Sequence, residues 1–401
     1  MNTGRVIAKS YATGQPLEIE WREGRIVDIL PVPAPLEDLP WLAPGLIDQQ
    51  VNGFAGVDFQ QDHLSREDLL TAVHALRHHG CLRFFLTLVT DDWERMLERL
   101  THLKSLRDGD PELSAAMAGW HLEGPFLSDK RGFCGAHDPR FMIEPTPPRL
   151  RRLRDLTRRD PVLLTLAPER RGAFEAIALA VSLGFKVFLG HTDASARELT
   201  RALQAGATGF THLGNGCPVA LDRFDNILWR VLDLPFPSVS VIPDGIHVSP
   251  ALFRLLHRSL ASSAIIYVTD AMAAAGAAPG TYSLGALTLE VGADRVVRLP
   301  GAPNLAGSAL TSLEGVWRAA QMRRCRWQEV WPCFAENVAA AWGMESTLQP
   351  GGPADFILLD GDETQPRVSL RAVVAGRIEP AFEHDLAGVE TTQIASPGDP
   401  L

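Results

Sequence analysis

Short apolar runs alternate with helical patterns through most of this sequence, and no other feature limits its fold as strongly. We interpret eight runs as strands: Leu42–Gln50, Cys81–Thr87, Met117–Leu122, Val162–Leu166, Lys186–Leu189, Ala207–Thr211, Ser238–Ile242 and Ala264–Thr269. Helical patterns separate most of them: Glu67–His79, Trp93–Leu106, Pro148–Arg158, Ala173–Leu183, Ala196–Ala205 and Pro250–Leu260. Apolar strands that alternate with helices favour a parallel sheet covered on both faces. Eight of them over roughly 230 residues predict an α/β fold of the (β/α)8 TIM-barrel type, which typically takes about 250 residues.

The two ends of the chain differ from the middle and resemble each other. Both carry short extended runs broken by turn residues, at Val6–Lys9, Leu17–Trp21, Ile26–Leu30, Asp355–Leu359 and Val368–Val374. We expect residues 1–43 and 345–385 to form one small β-sandwich domain, and residues 44–344 to form the barrel domain. Residues 386–401 are polar and form a separate tail, for which disorder is one interpretation.

Composition excludes several classes of function. The chain has a net charge of −10 and no basic cluster, which disfavours binding to nucleic acid or anionic lipid. No apolar run approaches the roughly 20 residues of a membrane span, and Met1–Lys9 lacks the apolar stretch of a secretion signal. The 5 cysteines have no CxxC spacing, which opposes a disulfide framework and a cysteine-built zinc site. We therefore expect a cytoplasmic protein with a small-molecule partner.

Ionisable side chains follow five of the predicted strands, at the barrel end where chemistry takes place. They are His121 and Glu123, His191, His212, Asp244 and His247, and Asp270. One carboxylate (Glu123) and two imidazoles (His191 and His212) form a known ligand set for catalytic zinc. A cation held there lowers the pKa of bound water to about 7. Asp270 is a nearby carboxylate that could take that proton and pass it to a leaving group. The pattern predicts metal-assisted hydrolysis.

Each of these residues also has a structural interpretation. Glu123 could cap the turn that begins at Gly124, His191 could be a buried hydrogen-bonded imidazole, and Asp270 could be an N-cap. The metal hypothesis therefore depends on the shared position of the residues rather than on any one of them. Six other histidines follow no strand and are interpreted as surface or packing residues: His63, His74, His78, His79, His102 and His257.

Short motifs occur in a particular order along the chain. They are Pro44-Gly45-Leu46-Ile47-Asp48, Asn52-Gly53, His121-Leu122-Glu123-Gly124-Pro125-Phe126, Gly135-Ala136-His137-Asp138-Pro139, Gly190-His191-Thr192, Thr211-His212-Leu213, Asp244-Gly245-Ile246-His247-Val248, Val268-Thr269-Asp270-Ala271 and Leu305-Ala306-Gly307-Ser308. In order and spacing they resemble the N-acetylglucosamine-6-phosphate deacetylases of the amidohydrolase superfamily, over nearly the whole chain.

The resemblance implies a barrel with a β-sandwich domain made from both termini, and a homodimer. It implies that Glu123, His191 and His212 hold one divalent metal, commonly zinc. Asp270 corresponds to the catalytic carboxylate, which activates water and later protonates the departing amine. The implied reaction is hydrolysis of the N-acetyl group of N-acetylglucosamine 6-phosphate, which gives glucosamine 6-phosphate and acetate.

The resemblance also implies a set of substrate contacts. They are Ala136, His137, Asn215, Gly216, Arg223, His247, Leu305, Ala306 and Gly307. Arg223 corresponds to a phosphate-binding arginine, which can grip phosphate bidentately, although a solvated surface arginine is the alternative. His137 corresponds to a sugar contact, and residues 305–307 match a loop that closes over the ligand.

Three places depart from the family pattern. Gln50-Val51-Asn52 stands where many amidohydrolases carry His-x-His, which predicts a single metal. The segment Gly214–Pro218 also differs from the family pattern, and its Cys217 is either a soft extra metal ligand or a free thiol. Phe133–Gly135, which contains Cys134, is an insertion relative to the family in the loop before His137. The last two departures leave open an unphosphorylated N-acetylhexosamine, or another N-acyl compound, as the substrate of the same site. A metal-free scaffold protein is the alternative from a different class.

Overall fold

The computed structural model describes residues 2–33, 35, 38–300, 305–345, 348–361 and 367–386. From residue 387 onward, the predicted polar tail lies outside the described residues. Among the described residues, no helix is long and apolar enough to cross a membrane.

The described strands are named in chain order. They are β1 (Gly4–Ser10), β2 (Pro16–Arg22), β3 (Arg25–Pro31), β4 (Trp41–Pro44), β5 (Leu46–Val51), β6 (Gly53–Phe54), β7 (Val57–Asp58), β8 (Cys81–Val89), β9 (Met117–Glu123), β10 (Val162–Leu166), β11 (Lys186–Leu189), β12 (Gly209–Phe210), β13 (Ser238–Val241), β14 (Ile265–Tyr267), β15 (Gly280–Leu284), β16 (Leu287–Val291), β17 (Val297–Arg298), β18 (Phe356–Asp360), β19 (Arg367–Val374), β20 (Arg377–Ile378) and β21 (Phe382–Asp385).

The described helices are named in the same way. They are α1 (Arg66–His78), α2 (Trp93–Asp108), α3 (Pro111–Ala116), α4 (Pro147–Thr157), α5 (Ala173–Ser182), α6 (Ala196–Gln204), α7 (Ile227–Leu232), α8 (Pro250–Ser259), α9 (Ser312–Arg323) and α10 (Glu336–Trp342). Short 3-10 helices lie at Pro139–Phe141, Ser262–Ala264, Trp327–Glu329 and Trp331–Phe334.

A parallel sheet of eight strands forms the barrel, in the order β5-β8-β9-β10-β11-β12-β13-β14. A parallel bridge between Val51 and Ala271 joins its first and last strands. Beside this bridge, the Asp48 carboxylate accepts hydrogen bonds from the Thr269 backbone N–H at 3.1 Å and from the Thr269 hydroxyl at 2.6 Å. The (β/α)8 prediction is therefore confirmed, because the strands follow the order of the predicted runs.

The helices begin where the sequence offers caps. Ser65 and Asp68 form a capping box at the start of α1, and Ser195 and Glu198 form another at α6. Such a box satisfies two backbone N–H groups that a helix start leaves unpaired. The six predicted helices all occur with ends within two residues of the expected ones, whereas helices α3, α7, α9 and α10 were not predicted.

A second, mixed sheet draws strands from both ends of the chain. Its order is β20-β19-β18-β4-β1-β2-β3, and β21 pairs with β19. It has a hydrophobic cluster of its own, which includes Ile19, Trp21 and Phe356. A small β unit built from both termini is therefore present, as the sequence predicts, while the domain bounds 1–43, 345–385 and 44–344 stay predictions.

The predicted run Leu42–Gln50 is divided between the two sheets. Its first residues lie in β4 of the mixed sheet, and its last residues lie in β5 of the barrel. Gly45 separates them, and a Cβ atom there would lie 2.4 Å from Cδ1 of Leu82. Only glycine allows this close approach, so one apolar run can leave one sheet and enter the other at this point.

A small antiparallel sheet, β15-β16-β17, follows the last barrel strand and was not predicted. It packs with Met272 and Ala306 in a hydrophobic cluster of its own. Since its strands are short and partly exposed, they lack the continuous apolar pattern that identifies the barrel strands.

A substitution at Trp21 tests how strongly the stability of the mixed sheet depends on its hydrophobic cluster. The Trp21 side chain is 1% exposed, its ring packs edge-on against Phe356 at 5.4 Å, and its Nε1–H donates to Gly376 O at 2.8 Å. We expect Trp21→Ala to lower the free energy of unfolding by about 3–5 kcal/mol, because it leaves a cavity. Urea denaturation measures the change. Val27→Ala, at a 45% exposed position of β3, is the control with a change below about 1 kcal/mol; equal losses would contradict the prediction.

Candidate active site

The predicted site residues lie at the carboxyl ends of barrel strands. Glu123 is the last residue of β9, and His191, His212 and Asp270 closely follow β11, β12 and β14. The latter three have positive φ values of 48°, 30° and 52°. A non-glycine residue with such a backbone is strained, and strain of this kind clusters at functional sites. The chain therefore turns sharply at three of the four positions.

The side chains of Glu123, His191 and His212 form one buried group whose donor atoms all lie within 4.8 Å of one another. Oε1 of Glu123 is 2.6 Å from Nε2 of His212 and 3.3 Å from Nε2 of His191. Burial alone raises the pKa of the Glu123 carboxyl, but the hydrogen bonds and charges of the two histidines outweigh it and hold the pKa well below its usual range. Glu123 is therefore an anion in this site.

His191 is held from three sides. Its Nδ1–H donates to Phe133 O at 3.0 Å, which leaves Nε2 free to act as a ligand. A Cβ atom at Gly135 would lie 2.8 Å from Cε1 of the ring, and a Cβ at Gly216 would lie 2.8 Å from Nδ1. Both glycines have positive φ values, 59° and 60°. The ring therefore has one orientation, with Nε2 toward Glu123.

The donor set fits a divalent cation. A buried carboxylate without a positive partner is strongly unfavourable, and two imidazole nitrogens face this one. One carboxylate oxygen and two imidazole nitrogens are also the three protein ligands of a known class of catalytic zinc sites. Among the described residues, no other group of three histidine, cysteine, aspartate or glutamate side chains has this geometry. None of the six histidines interpreted as surface or packing residues belongs to it.

Two amide side chains hold Asp270, and one of them, Gln50, also contacts this group. Oδ1 of Asp270 accepts hydrogen bonds from Nδ2 of Asn52 at 2.7 Å and from Nε2 of Gln50 at 3.1 Å. The same Gln50 nitrogen lies 3.0 Å from Oε1 of Glu123. Burial, with the charge of Glu123, raises the pKa of Asp270 to about 6. The sequence indicated only that Gln50 and Asn52 are poor zinc ligands; their position at the end of the first barrel strand was the signal for a role in the site.

Two further histidines lie near the group. Nε2 of His137 is 3.8 Å from Oε2 of Glu123, and its Nδ1 accepts a hydrogen bond from the Thr90 N–H at 3.4 Å. Nδ1 of His247 lies 2.6 Å from Oδ2 of Asp244. Burial alone lowers the pKa of His247, but the charge and hydrogen bond of Asp244 outweigh it and raise that pKa. His137 thus turns its Nε2 toward Glu123, whereas the contact of His247 with Asp244 uses Nδ1 and not Nε2.

His121 lies inside the barrel rather than at its mouth. Its Nδ1 is 3.3 Å from the Thr87 hydroxyl, and its Nε2 is 2.8 Å from the Thr165 hydroxyl. Thr165 in turn lies 2.8 Å from the hydroxyl of Thr211. This chain of buried hydrogen bonds crosses several strands, so the structure gives His121 a packing role.

Most of the predicted substrate contacts lie close to the group. Asn215 donates to His212 O at 3.3 Å, and Gly307 passes so close to Asp270 that a Cβ would lie 3.3 Å from Asp270 O. Ala306 is buried and Ala136 is partly buried, both in the cluster that contains Met272. Leu305 pairs with Arg298 in an isolated bridge.

Arg223 is placed differently. It is exposed, and its guanidinium lies 4.7 Å from the ring of Phe224. Within the described part of the chain, no hydrogen bond or ion pair joins the Arg223 side chain to another predicted site residue.

Cys217 and Cys134, which lie in the two segments that differ from the family pattern, are not ligands of the Glu-His-His group. Sγ of Cys217 donates to Gly214 O at 3.7 Å, and burial raises the pKa of this thiol to about 11. Cys134 is partly buried, and all 5 cysteines are free thiols. The alternative in which Cys217 is a soft ligand receives no support from this geometry, since neither cysteine belongs to the Glu-His-His group.

Comparison with known proteins gives this arrangement a family. No protein-family model matches the chain. The N-acetylglucosamine-6-phosphate deacetylase of Bos taurus is 34% identical over 334 residues, which cover 80% of this chain and 79% of that protein. The enzyme of the same name from Danio rerio is 31% identical over 330 residues, with 80% of each chain covered. This chain belongs to the N-acetylglucosamine-6-phosphate deacetylase family.

Solved deacetylases of this family share the whole architecture. The enzyme from Mycobacterium smegmatis, solved in complex with N-acetyl-D-glucosamine-6-phosphate, has a TM-score of 0.83 and 29% identity, and the match covers 94% of this chain and 99% of that one. The enzyme from Pasteurella multocida has a TM-score of 0.82 and 26% identity, with 94% and 100% covered. Since deacetylases cleave an amide bond with water, the chain is a member of a hydrolase family.

A substitution at Gly216 tests whether the close packing of Gly135 and Gly216 orients the His191 ring. Gly216→Ala would place Cβ 2.8 Å from Nδ1 of the imidazole, so we expect the ring to move and the affinity for added Zn²⁺ to fall about 10–100-fold. Competition with a chelating dye measures the affinity. Gly14→Ala is a matched control: Gly14 also has a positive φ of 71°, but its Cβ would meet nothing within 4 Å. Unchanged Zn²⁺ affinity in Gly216→Ala would show that the packing of Gly216 does not orient His191.

Proposed function

We propose that this chain hydrolyses the N-acetyl group of N-acetylglucosamine 6-phosphate and releases acetate and glucosamine 6-phosphate. The observation that carries the proposal is the buried Glu123, His191 and His212 group, with Asp270 joined to it through Gln50. Membership of the deacetylase family supports the reaction and the substrate class. A scaffold protein is disfavoured because it would not need a buried set of ligands.

We propose one divalent metal ion, zinc, bound by Glu123, His191 and His212. Two amide donors, Gln50 and Asn52, stand where other amidohydrolases carry a His-x-His pair, and this supports a single ion. When bound, such a cation polarises a carbonyl group and lowers the pKa of water.

Asp270 is the proposed proton carrier. Its carboxylate would take a proton from the attacking water as the C–O bond forms, and would return it to the amine nitrogen as the C–N bond breaks. A pKa of about 6 keeps the group mostly ionised at neutral pH, and still basic enough to accept a proton. His137 and His247 would orient the sugar or support the developing negative charge through Nε2.

We propose that the remaining predicted contacts bind the sugar. Asn215, Gly216 and Gly307 are supported by their closeness to His212, His191 and Asp270. Ala136, Leu305 and Ala306 are included because they lie within two residues of Gly135 or Gly307 in the sequence. Arg223 would contact the 6-phosphate, for which its exposed guanidinium is suited.

We propose a cytoplasmic homodimer. Apolar side chains next to Arg223 are strongly exposed, with Val219 at 93% and Phe224 at 81%, and a partner surface would cover them. The free state of all 5 cysteines suits a reducing compartment.

Asp270→Asn tests the proton carrier. The amide cannot accept the proton, so we expect turnover to fall about 10²–10⁴-fold while the bound metal remains. Acetate release gives the rate, and elemental analysis of the same sample gives the metal content. Asp294→Asn, in the exposed ion pair with Arg298, is the control and should keep full activity. Turnover that survives in Asp270→Asn would rule out the proposed role.

Arg223→Ala tests the proposed contact between Arg223 and the 6-phosphate of the substrate. Removing a charged hydrogen-bond donor should raise KM for N-acetylglucosamine 6-phosphate about 10–100-fold and leave the rate with plain N-acetylglucosamine unchanged. The control is Arg201→Ala, because Arg201 is also exposed and lies over a phenylalanine ring, that of Phe174, at 3.9 Å. If the unmodified chain releases acetate faster from the plain sugar, the alternative of an unphosphorylated N-acetylhexosamine is correct.

A further inference from the structure

The two oxygens of the Asp270 carboxylate have different surroundings. Oδ1 accepts two hydrogen bonds, from Nδ2 of Asn52 at 2.7 Å and from Nε2 of Gln50 at 3.1 Å. Among the residues that the structure describes, no donor is hydrogen-bonded to Oδ2. One oxygen is therefore fixed by neutral amide donors, and the other remains open for a proton.

Asn52 is attached to the Asp270 segment by its backbone as well as by its side chain. Its N–H donates to Ala271 O at 2.7 Å, and its Nδ2 is also 3.3 Å from Asp270 O. Asp270 has a φ of 52°, a strained conformation that surrounding contacts must hold. Asn52 therefore restrains both the strained backbone and the carboxylate of the same residue.

The oxygen of the Asn52 side-chain amide is buried without a hydrogen-bond partner among the described residues. The residue as a whole is 1% exposed. A buried acceptor without a donor is destabilising. The reversed amide would place that oxygen against the Asp270 carboxylate, so the donor must face Asp270.

We propose that Asn52 is a positioning residue for the Asp270 carboxylate, with Gln50 as a second donor that is shared with Glu123. This inference rests on the proposed function, in which Asp270 carries the proton. Within the described part of the chain, the Asn52 side chain is hydrogen-bonded only to Asp270, whereas the Gln50 side chain is hydrogen-bonded to Asp270 and to Glu123 of the ligand group. The two amides should therefore give different results when each is removed.

Matched substitutions separate the two. We expect Asn52→Ala to lower kcat for acetate release about 10–100-fold, because the carboxylate loses its shortest restraint, with KM and Zn²⁺ affinity within twofold of the starting values. Gln50→Ala should lower kcat and also weaken Zn²⁺ binding about 10-fold, since it removes a donor to Glu123. Gln61→Ala, at an exposed position of the same segment, is the control for both measurements.

The outcomes distinguish this inference from the proposed function. A kcat within threefold of the starting value in Asn52→Ala, or a joint loss of kcat and Zn²⁺ affinity, would overturn the positioning role. Asn52→Leu has a similar volume and no donor, and it carries the test if Asn52→Ala does not fold, as judged by thermal melting. Full turnover in Asp270→Asn would overturn the proposed function itself. An inactive Asp270→Asn beside a fully active Asn52→Ala would overturn only the inference about Asn52.

Discussion

The rest of the site depends on the burial of the Glu123 carboxylate between two imidazoles. Oε1 of Glu123 lies 2.6 Å from Nε2 of His212, although 89 residues separate them along the chain. A carboxylate removed from water at this depth needs positive charge and hydrogen-bond donors around it. His191, His212 and the Gln50 amide meet that need. The same donor set has the ligand types of a divalent-cation site.

Closure of the barrel supplies the second half of the site. Val51 pairs with Ala271, and next to this seam the Asn52 and Gln50 amides reach Asp270 across a sequence separation of 218 and 220 residues. The carboxylate that is proposed to move the proton is therefore fixed by the first strand of the barrel, while the last strand carries it. A substitution that breaks the pairing of Val51 with Ala271 would move Asp270 away from Glu123, although neither of these two residues is itself substituted.

Sequence reasoning recovered the barrel strands and the residues that end them, because both follow local rules. Apolar runs marked the buried strands, and polar residues after them marked one end of a parallel sheet. It took Leu42–Gln50 for a single strand, whereas Gly45 lets this apolar run contribute to two sheets. It gave Gln50 and Asn52 no role in the site, because in the sequence an amide in place of a histidine indicates only a missing metal ligand. The structure shows that Gln50 donates to Glu123 and that Asn52 donates to Asp270.

The sequence by itself determined the fold class, the deacetylase resemblance and the identity of the four residues at the strand ends, because each depends on residue type, order and short-range spacing. Only the tertiary structure decided that His191 is oriented by Phe133, Gly135 and Gly216, that His121 faces inward, and that Arg223 stays exposed. These facts depend on strand register and on loops from distant parts of the chain meeting in space. Separation along the sequence does not specify either one.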